Sequence, residues 1–248
     1  MLRWQRQGKG PHVVLVHGFL GSGKIFEPLT EYLAPQFTVT TIDLPGHGDS
    51  YDLPMPATVE ELTLLVSETI QSSGIDVCSI LGHSLGAMIA LEMSLLRPSL
   101  LDKMVIYGGC PDGLLPNRFE TTEESVHKVL QRGVNDVAKE IASKWFKRGE
   151  EDPMYPFAVL AGSRSNQEAA IISIRSWDHW FARARLGAVQ TPALIICGDS
   201  DLSTHPDNSI EMWKRIPQAQ LFIAPNAGHA VHLEYTEEFN SIVAQFLK

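Results

Sequence analysis

Short apolar segments alternate with segments of helical periodicity along residues 1–110. The apolar segments are almost continuous in Val, Ile and Leu, which is typical of parallel strands covered on both faces. They predict strands at residues 12–16, 37–42, 77–81 and 104–107. Between them, Thr58 and Glu61 form a capping-box pattern before an amphipathic helix that ends at Gly74, and residues 85–97 predict a buried helix. This order predicts an α/β fold whose mostly parallel central sheet is flanked by helices.

The alternation stops at Gly108 and Gly109, and no strand pattern follows until about residue 190. The intervening sequence predicts helices at residues 125–130, 134–146 and 168–181. Strand and helix then resume, with strands expected at residues 193–197 and 220–224 and helices at residues 206–216 and 236–248. We therefore expect one α/β core, formed by residues 1–109 and 191–248, which is interrupted by a helical insertion at residues 110–190.

The strongest chemical signal is the sequence Gly-His-Ser-Leu-Gly at residues 82–86. It follows the predicted strand at residues 77–81 and begins the next helix, which is the context in which G-x-S-x-G forms a nucleophile elbow. The two glycines let strand and helix approach closely, and the turn lifts the serine hydroxyl above the sheet. Ser84 is therefore the candidate nucleophile. The alternative is that the serine and its two flanking glycines only form a turn and have no catalytic role.

A serine nucleophile needs a base to accept its proton, and the base needs a carboxylate to orient it. Among the nine histidines, His229 is the best placed, because it follows the last predicted strand and precedes the final helix. It would then lie at the carboxyl edge of the sheet, where Ser84 also emerges. Asp201 follows the preceding strand and is the preferred acid, with Asp199 and Asp112 as alternatives. The order of nucleophile, acid and base matches one class of hydrolases.

Acyl transfer also needs hydrogen-bond donors for the negative charge that develops on the carbonyl oxygen. The backbone N–H groups of Phe19, in the loop after the first strongly apolar strand, and of Leu85 could converge on one oxygen. In the insertion, Trp145, Trp177 and Trp180 are candidate substrate-binding residues that would line an apolar pocket facing the serine. The alternative is that they pack the core of the insertion itself.

Composition narrows the class of protein without selecting a substrate. The 248 residues have a formal net charge of −9 and are 44% hydrophobic, which excludes an intrinsically disordered chain and argues against a nucleic-acid partner. No apolar segment is long enough to span a membrane, and the first residues lack the apolar core of a secretory signal. Cys78, Cys110 and Cys197 are expected to be buried thiols. We expect a cytoplasmic protein with a small-molecule acyl substrate and no metal or cofactor, and the oligomeric state stays open.

A series of short motifs accompanies the candidate residues. They are His17-Gly18-Phe19, the sequence Asp-Leu-Pro-Gly-His-Gly-Asp-Ser at residues 43–50, the serine elbow, Gly198-x-x-Asp201 and Gly228-His229. In this combination the chain resembles the α/β-hydrolase fold superfamily, in its capped serine esterase-like branch, over about residues 10–248. The resemblance implies a Ser84–His229–Asp201 triad, an oxyanion hole of the Phe19 and Leu85 amides, and a helical cap over the site. The earliest strand of that family is expected to be missing, because only residues 2–7 precede the turn at residues 8–10.

Departures from similar families favour an ester-type substrate. Haloalkane dehalogenases and epoxide hydrolases have a carboxylate nucleophile where this chain has Ser84, and carbon–carbon bond hydrolases usually have Trp after the base, where this chain has Ala230. We expect a serine hydrolase that cleaves an ester, lactone or thioester of a small to medium apolar acyl group through an acyl-enzyme. A carbon–carbon bond hydrolase and a non-catalytic ligand-binding or receptor protein of the same fold are the alternatives.

Residues 18–24, Gly-Phe-Leu-Gly-Ser-Gly-Lys, also match the G-x-x-x-x-G-K pattern of a phosphate-binding loop. The next residue in that pattern is Ser or Thr, whose hydroxyl binds Mg²⁺, but this chain has Ile25. A nucleotide site would also leave the candidate serine, aspartate and histidine without a role. We therefore expect no nucleotide binding.

Overall fold

The computed structural model describes residues 1–114 and 120–248, and a seven-stranded sheet forms its centre. The strands are β1 Trp4–Gln7, β2 His12–Val16, β3 Thr38–Ile42, β4 Cys78–His83, β5 Leu101–Tyr107, β6 Ala193–Gly198 and β7 Gln220–Ala224. Their order across the sheet is β1-β3-β2-β4-β5-β6-β7. β1 runs antiparallel to β3, and the other neighbouring pairs are parallel. The predicted α/β fold with a mostly parallel sheet is confirmed.

Helices cover the sheet and supply the rest of the core. They are α1 Glu27–Leu33, α2 Val59–Ser72, α3 Leu85–Leu96, α4 Thr122–Arg132, α5 Val134–Lys144, α6 Tyr155–Gly162, α7 Gln167–Asp178, α8 Pro206–Arg215, α9 Val231–Glu234 and α10 Thr236–Leu247. α3 packs against α2, β4 and β5, while α1 packs against α10 and α8 against β6. Because helices cover the sheet, its central strands are buried, which explains their continuous apolar sequences.

The central strands place the candidate residues at one edge of the sheet. All six residues of β4 and all six of β6 are buried. Ser84 follows β4 directly, Asp201 follows β6, and His229 follows β7. Because these strands are parallel, their carboxyl ends lie at the same edge, where ligand sites of open α/β sheets are found.

The predicted start and end of α2 are confirmed. Thr58 Oγ1 accepts a hydrogen bond from the Glu61 N–H at 3.1 Å, and Glu61 Oε2 accepts one from the Ala57 N–H at 3.1 Å. Gly74, with a φ of 84°, follows the helix in the left-handed region that favours glycine. The two ends of this helix are therefore specified by local chemistry.

Among the described residues between β5 and β6 lie the helices α4 to α7. The sequence predicts α4, α5 and α7 with boundaries a few residues away from those observed. It does not predict α6, because that helix is apolar on most sides, contains Pro156 and so has no amphipathic period. Residues 115–119 of the expected insertion lie outside the described residues. The division into a core and a cap remains a prediction.

The apolar pattern predicts no strand at residues 2–7, but the structure has one there, and the absence of the family's earliest strand stays a prediction. Trp4–Gln7 forms β1, which pairs with β3 along its whole length. The strand lies at the edge of the sheet and is mostly exposed, so it needs no apolar sequence. Its sequence is Trp-Gln-Arg-Gln, without an apolar run, and a short turn with positive φ at Gly8 and Gly10 joins it to β2. Strand pairing in the tertiary structure therefore decides this element.

Two further sequence expectations concern the burial of the cysteines and membrane association. Cys78, Cys110 and Cys197 are all buried, as predicted. Burial raises the pKa of the Cys78 thiol to about 12 and that of Cys197 to about 11, so both are protonated at neutral pH. Within the described ranges, no helix combines the length and apolar character that crossing a membrane requires.

Candidate active site

Ser84 lies in a sharp turn between β4 and α3. Its φ of 56° and ψ of −114° are unusual for a residue with a side chain, and such a conformation costs about 1–3 kcal/mol. A Cβ on Gly82 would lie 1.9 Å from the Gly86 carbonyl oxygen, and a Cβ on Gly86 would lie 2.1 Å from the Val16 carbonyl oxygen. Only glycine fits at both positions. The turn therefore has the geometry that the G-x-S-x-G sequence predicts.

His229 and Asp201 form a buried hydrogen-bonded pair. His229 Nδ1 lies 2.7 Å from Asp201 Oδ2, and the two side chains are 1% and 0% exposed. Asp201 Oδ1 accepts hydrogen bonds from the N–H groups of Ser203 at 2.8 Å and Thr204 at 3.0 Å. Asp201 Oδ2 also accepts one from Thr204 Oγ1 at 2.9 Å. These bonds hold the carboxylate in one orientation, with Oδ2 toward the imidazole.

The two alternative acids are bound elsewhere. Asp199 Oδ2 accepts the Asn226 N–H at 2.9 Å, which fastens the loop after β7 to the loop after β6. This hydrogen bond is the main reason that the pKa of Asp199 is lowered. Asp112 Oδ2 accepts a hydrogen bond from Arg183 Nε at 2.6 Å. Of the three predicted candidates, Asp201 is the one that the structure brings to the histidine.

A buried cluster of His83, Tyr107 and His232 supports the backbone of His229. Tyr107 Oη donates to the His229 carbonyl oxygen at 2.7 Å and lies 2.9 Å from His232 Nδ1. The His83 ring stacks on Tyr107 with centroids 4.5 Å apart. Burial lowers the pKa of His232 to about 3 and that of His83 well below its usual value, so both rings are neutral at physiological pH. Sequence reasoning missed this cluster, because its residues come from three separate segments.

Gly108 packs directly against the ring of His229. Its φ is +53°, and a Cβ at this position would lie 3.0 Å from His229 Cε1 and 3.1 Å from His229 Nδ1. Any side chain here would press on the imidazole and adopt an unfavourable backbone conformation. The glycine that marks the end of the regular strand–helix alternation in the sequence is therefore also part of the histidine's surroundings.

Phe19 and Leu85, the predicted oxyanion donors, line the same cavity as Ser84 and His229. Leu85 is the first residue of α3, so its N–H is one of the four N–H groups that have no partner within the helix. Phe19 lies in the loop after β2, and its ring meets Trp177 edge-on with centroids 5.2 Å apart. The structure thus brings both predicted residues to the cavity, and their role as oxyanion donors remains a prediction.

His17 holds the loop of Phe19 in place. Its Nε2 accepts the Leu44 N–H at 2.9 Å, and its Nδ1 lies 2.8 Å from the Gly18 carbonyl oxygen. Burial lowers the pKa of His17 to about 4, so the ring is neutral at physiological pH. A neutral ring with its proton on Nδ1 satisfies both hydrogen bonds. His17 is therefore a structural link between the loops after β2 and β3.

The cavity at Ser84 has a volume of about 50 Å³, and its described wall is mostly apolar. Trp145, which follows α5, and Trp177 in α7 are two of the three predicted tryptophans, and both line it. The full described wall consists of Phe19, Ser84, Leu85, Met88, Cys110, Gly113, Ile141, Trp145, Trp177, Ser203, Thr204 and His229. A short apolar group next to the serine fits these surroundings.

Trp180, the third predicted tryptophan, is absent from the described wall of this cavity. Its indole is fully buried, and its Nε1–H donates to Glu92 Oε2 at 2.8 Å. Arg185 binds the same carboxylate with two hydrogen bonds, of 2.9 and 2.7 Å. The expected substrate contact of Trp180 is therefore corrected: the residue joins the segment after α7 to the buried acid on α3. Glu92 lies 88 residues from Trp180 in the sequence, so no local sequence pattern indicates this contact.

Replacing Arg185 with methionine is expected to lower the free energy of unfolding by about 2–4 kcal/mol, because the buried Glu92 carboxylate would lose its charged partner. Arg185 itself is 37% exposed, so water compensates for part of the loss. Urea denaturation measures the change. The control is Arg215→Met, which breaks a more exposed pair with Glu211 and should cost less than about 1 kcal/mol. Equal losses in both variants would contradict the interpretation that Arg185 stabilises the buried Glu92 carboxylate.

The loop at residues 18–24 does not present a phosphate cradle. The Asp43 carboxylate accepts the Gly23 N–H at 2.6 Å and the Asp49 N–H at 2.7 Å. A phosphate at this place would meet that negative charge instead of free amide groups. Ile25, which stands where a metal-binding hydroxyl would be needed, is buried. Gly23 allows the close approach to Asp43, where an added Cβ would lie 3.2 Å from Oδ1, and Gly18 packs against Ser84, where an added Cβ would lie 2.7 Å from the serine Cβ.

A larger cavity of about 490 Å³ shares no lining residue with the cavity at Ser84. Residues of β1, of the turn before α1 and of the loop after α6 line it. Its wall carries both signs of charge, including Lys24 and an Arg164–Asp49 pair with 3.1 Å between Nη1 and Oδ1. Size alone would select this cavity, but the candidate nucleophile Ser84 and the candidate base His229 line the smaller one.

The comparisons with known proteins agree with the motifs and the fold. The family model described as "alpha/beta hydrolase fold" matches residues 11–236. A crystal structure of a hydrolase from Pseudomonas aeruginosa PA01 has a TM-score of 0.91 to this chain at 23% identity, over 99% of this chain and 94% of that one. At this identity the likeness shows the fold alone.

Two curated relatives cover the full length of the chain. The pimeloyl-[acyl-carrier protein] methyl ester esterase of Photobacterium profundum is 26% identical over 255 residues, which is 100% of this chain and 98% of the relative. Serine hydrolase BPHL of Homo sapiens is 30% identical over 259 residues, which is 100% of this chain and 83% of the relative. Because the family model spans most of the chain and these relatives are a named esterase and a named serine hydrolase, the chain belongs to the α/β hydrolase family and is a serine hydrolase.

Proposed function

We propose that this serine hydrolase cleaves carboxylic ester-type bonds through an acyl-enzyme on Ser84, with His229 as base and Asp201 as orienting acid. The observation that carries the proposal is the buried 2.7 Å contact between His229 Nδ1 and Asp201 Oδ2, beside the cavity that Ser84 also lines. A carboxylate at Nδ1 favours the tautomer with its proton on that nitrogen, which leaves Nε2 free to accept one.

The proposed reaction has two halves. Ser84 Oγ attacks the carbonyl carbon while His229 Nε2 takes the hydroxyl proton, and the N–H groups of Phe19 and Leu85 stabilise the resulting oxyanion. The carbon–oxygen or carbon–sulfur bond then breaks, and His229 gives its proton to the leaving group. Water attacks the acyl-enzyme with help from the same base, which releases the acid and restores the serine. The strained backbone of Ser84 keeps the hydroxyl at the cavity throughout.

The size of the cavity supports a short acyl group. A volume of about 50 Å³ holds roughly three to five water-sized groups at ~10–15 Å³ each. Met88, Ile141 and Trp145 on its wall offer apolar contact without charge. The Photobacterium relative is named as a methyl ester esterase, which belongs to the same reaction class. We therefore propose short-chain esters, lactones or thioesters as substrates.

In a series of p-nitrophenyl esters, kcat/KM is expected to be highest between acetyl and butyryl and at least about tenfold lower for octanoyl. Each methylene that the cavity cannot hold forces side chains away from their packed positions, at a cost of about 1–3 kcal/mol. Initial rates across the series, with lactones and thioesters in parallel, measure the preference. A maximum at octanoyl would contradict the short-chain proposal.

A matched pair of variants tests whether the cavity sets this preference. Ile141→Ala removes methyl groups from the wall and should move the maximum toward longer chains. Ile174→Ala removes the same atoms from a buried position of α7 that does not line the cavity, and should leave the maximum unchanged. If wild-type protein reacts with a fluorophosphonate but hydrolyses none of the three substrate classes, the carbon–carbon bond hydrolase becomes the better interpretation.

A further inference from the structure

The loop that carries His229 is attached to the segment that follows α5. The Ala230 N–H donates to the Trp145 carbonyl oxygen at 2.9 Å. A Cβ on Gly228 would lie 2.5 Å from that same oxygen, so the two backbones are in close contact. The loop that carries His229, which we call the histidine loop, therefore contacts residues 145–147 through Gly228 on one side of His229 and Ala230 on the other.

Glu234 adds a second connection between these two segments. Its Oε2 accepts the Gly228 N–H at 2.7 Å, and its Oε1 accepts the Lys147 N–H at 2.7 Å. Both bonds are short and charge-assisted, which makes them stronger than ordinary amide bonds. Glu234 is the last residue of α9, which begins two residues after His229. One carboxylate thus joins the residue before the histidine to the segment after α5.

We propose that Glu234 is a positioning residue that sets the place of the His229 imidazole relative to Ser84 and to the cavity wall. The proposal rests on His229 being the catalytic base, as proposed above. Trp145 lines the cavity, and Glu234 fastens the histidine loop to the backbone two residues later. Without this carboxylate, two backbone N–H groups would lose their acceptor, and the loop would keep its bonds to Trp145, Tyr107 and Asp201 but lose its attachment to the Lys147 backbone.

The surroundings of Glu234 make its contribution dependent on pH. Burial raises the pKa of Glu234, and the charges of Asp152 and Asp201 add to the rise, while the Lys147 and Gly228 N–H groups oppose it. The Lys147 ammonium on the same side donates to Ser200 Oγ at 2.8 Å. Once protonated, Glu234 keeps one oxygen as a full acceptor, so one of its two N–H bonds weakens.

The effects of Glu234 on activity and on stability have opposite signs. Its contribution to kcat should grow as the pH rises through the raised pKa, because the ionised form binds both N–H groups. Its contribution to the free energy of unfolding should fall over the same interval, because a folded pKa above the unfolded value favours the protonated folded state. A residue that merely stabilised the fold would not raise kcat while stability falls.

Glu234→Gln is expected to lower kcat about tenfold at neutral pH and to change KM by less than about twofold, as expected of a displaced base. The ratio of wild-type to variant kcat should fall toward one as the pH drops below the Glu234 pKa, because a protonated carboxyl, like the Gln amide, keeps one full acceptor oxygen. Glu237→Gln, at an exposed position of α10, makes the same charge change and should match wild type. A ratio near one at every pH, or a loss that is constant with pH, would overturn the proposal.

A second measurement does not depend on turnover, and its decisive result comes from a protein that keeps Glu234. In the Ser84→Ala protein, the downfield proton resonance of the hydrogen bond between His229 Nδ1 and Asp201 Oδ2 reports the place of the imidazole. It should shift with pH at the raised pKa of Glu234, and the shift should be lost in Ser84→Ala/Glu234→Gln. No shift in the Ser84→Ala protein would overturn the role of Glu234. Absence of ester hydrolysis and of fluorophosphonate labelling in wild type would instead contradict the proposed function.

Discussion

Replacing Ser84 with alanine is expected to lower kcat by about 10⁶-fold and to abolish labelling by a fluorophosphonate. Alanine lacks the hydroxyl that forms the acyl-enzyme, and His229 would have no adjacent nucleophile to activate. The turn should persist, because Gly82 and Gly86 still allow the close approach of strand and helix. Hydrolysis of p-nitrophenyl butyrate and the intact mass after labelling measure the two effects.

The matched control is Ser94→Ala, on the same helix. Ser94 is buried, and its Oγ donates to the Leu91 carbonyl oxygen at 2.7 Å within α3. This variant should keep wild-type kcat and incorporate one label. Turnover near the wild-type rate in Ser84→Ala would show that Ser84 is not the nucleophile. A wild-type protein that neither hydrolyses esters nor takes the label would favour the non-catalytic binding protein.

Asp201→Asn is expected to lower kcat by about 10⁴-fold, by analogy with other triads whose acid was neutralised. The structure explains why the loss should be this large. The Ser203 and Thr204 N–H groups point at Oδ1, so the asparagine carbonyl oxygen should take that place. The amide NH₂ would then face His229 Nδ1 at the position of Oδ2. This arrangement favours the tautomer with its proton on Nε2, which cannot accept the proton of Ser84.

The two alternative acids supply the controls for this variant. Asp199→Asn weakens a loop contact with Asn226, and Asp112→Asn weakens a pair with Arg183. Neither change alters the tautomer of His229, so kcat should stay within about tenfold of wild type. Measured kcat values for the three variants decide the assignment. If Asp112→Asn is the most damaging of the three, Asp201 is not the orienting acid.

The elbow could be predicted from five consecutive residues, because the constraint on it is local. Ser84 needs a strained turn, and the glycines on either side are required by contacts within the strand, the turn and the adjacent β2 backbone. The buried parallel strands were also predictable, since β4 and β6 have no solvent face and so carry continuous apolar sequences. Each of these signals lies within a few residues of the feature that it predicts.

The features that the sequence missed depend on pairing between distant segments. β1 is a strand because β3 offers it an edge, and its own exposed residues carry no apolar pattern. Tyr107 and Glu234 matter because their side chains reach the loop of His229. Trp180 resembles its neighbour Trp177 in the sequence, but its indole turns toward the carboxylate of Glu92. The position of a tryptophan in the sequence does not reveal which way its indole faces, because its partner Glu92 belongs to a distant segment.

The sequence by itself determined the α/β fold, the places of the central strands and the order of the candidate nucleophile, acid and base. These follow from hydrophobic periodicity and from the position of each residue relative to a strand end. Only the tertiary structure decided that Asp201 faces His229, that Trp145 and Trp177 line the small cavity, and that Glu234 binds the histidine loop. Such contacts join segments far apart in the chain, and side-chain direction across that distance is decided by packing.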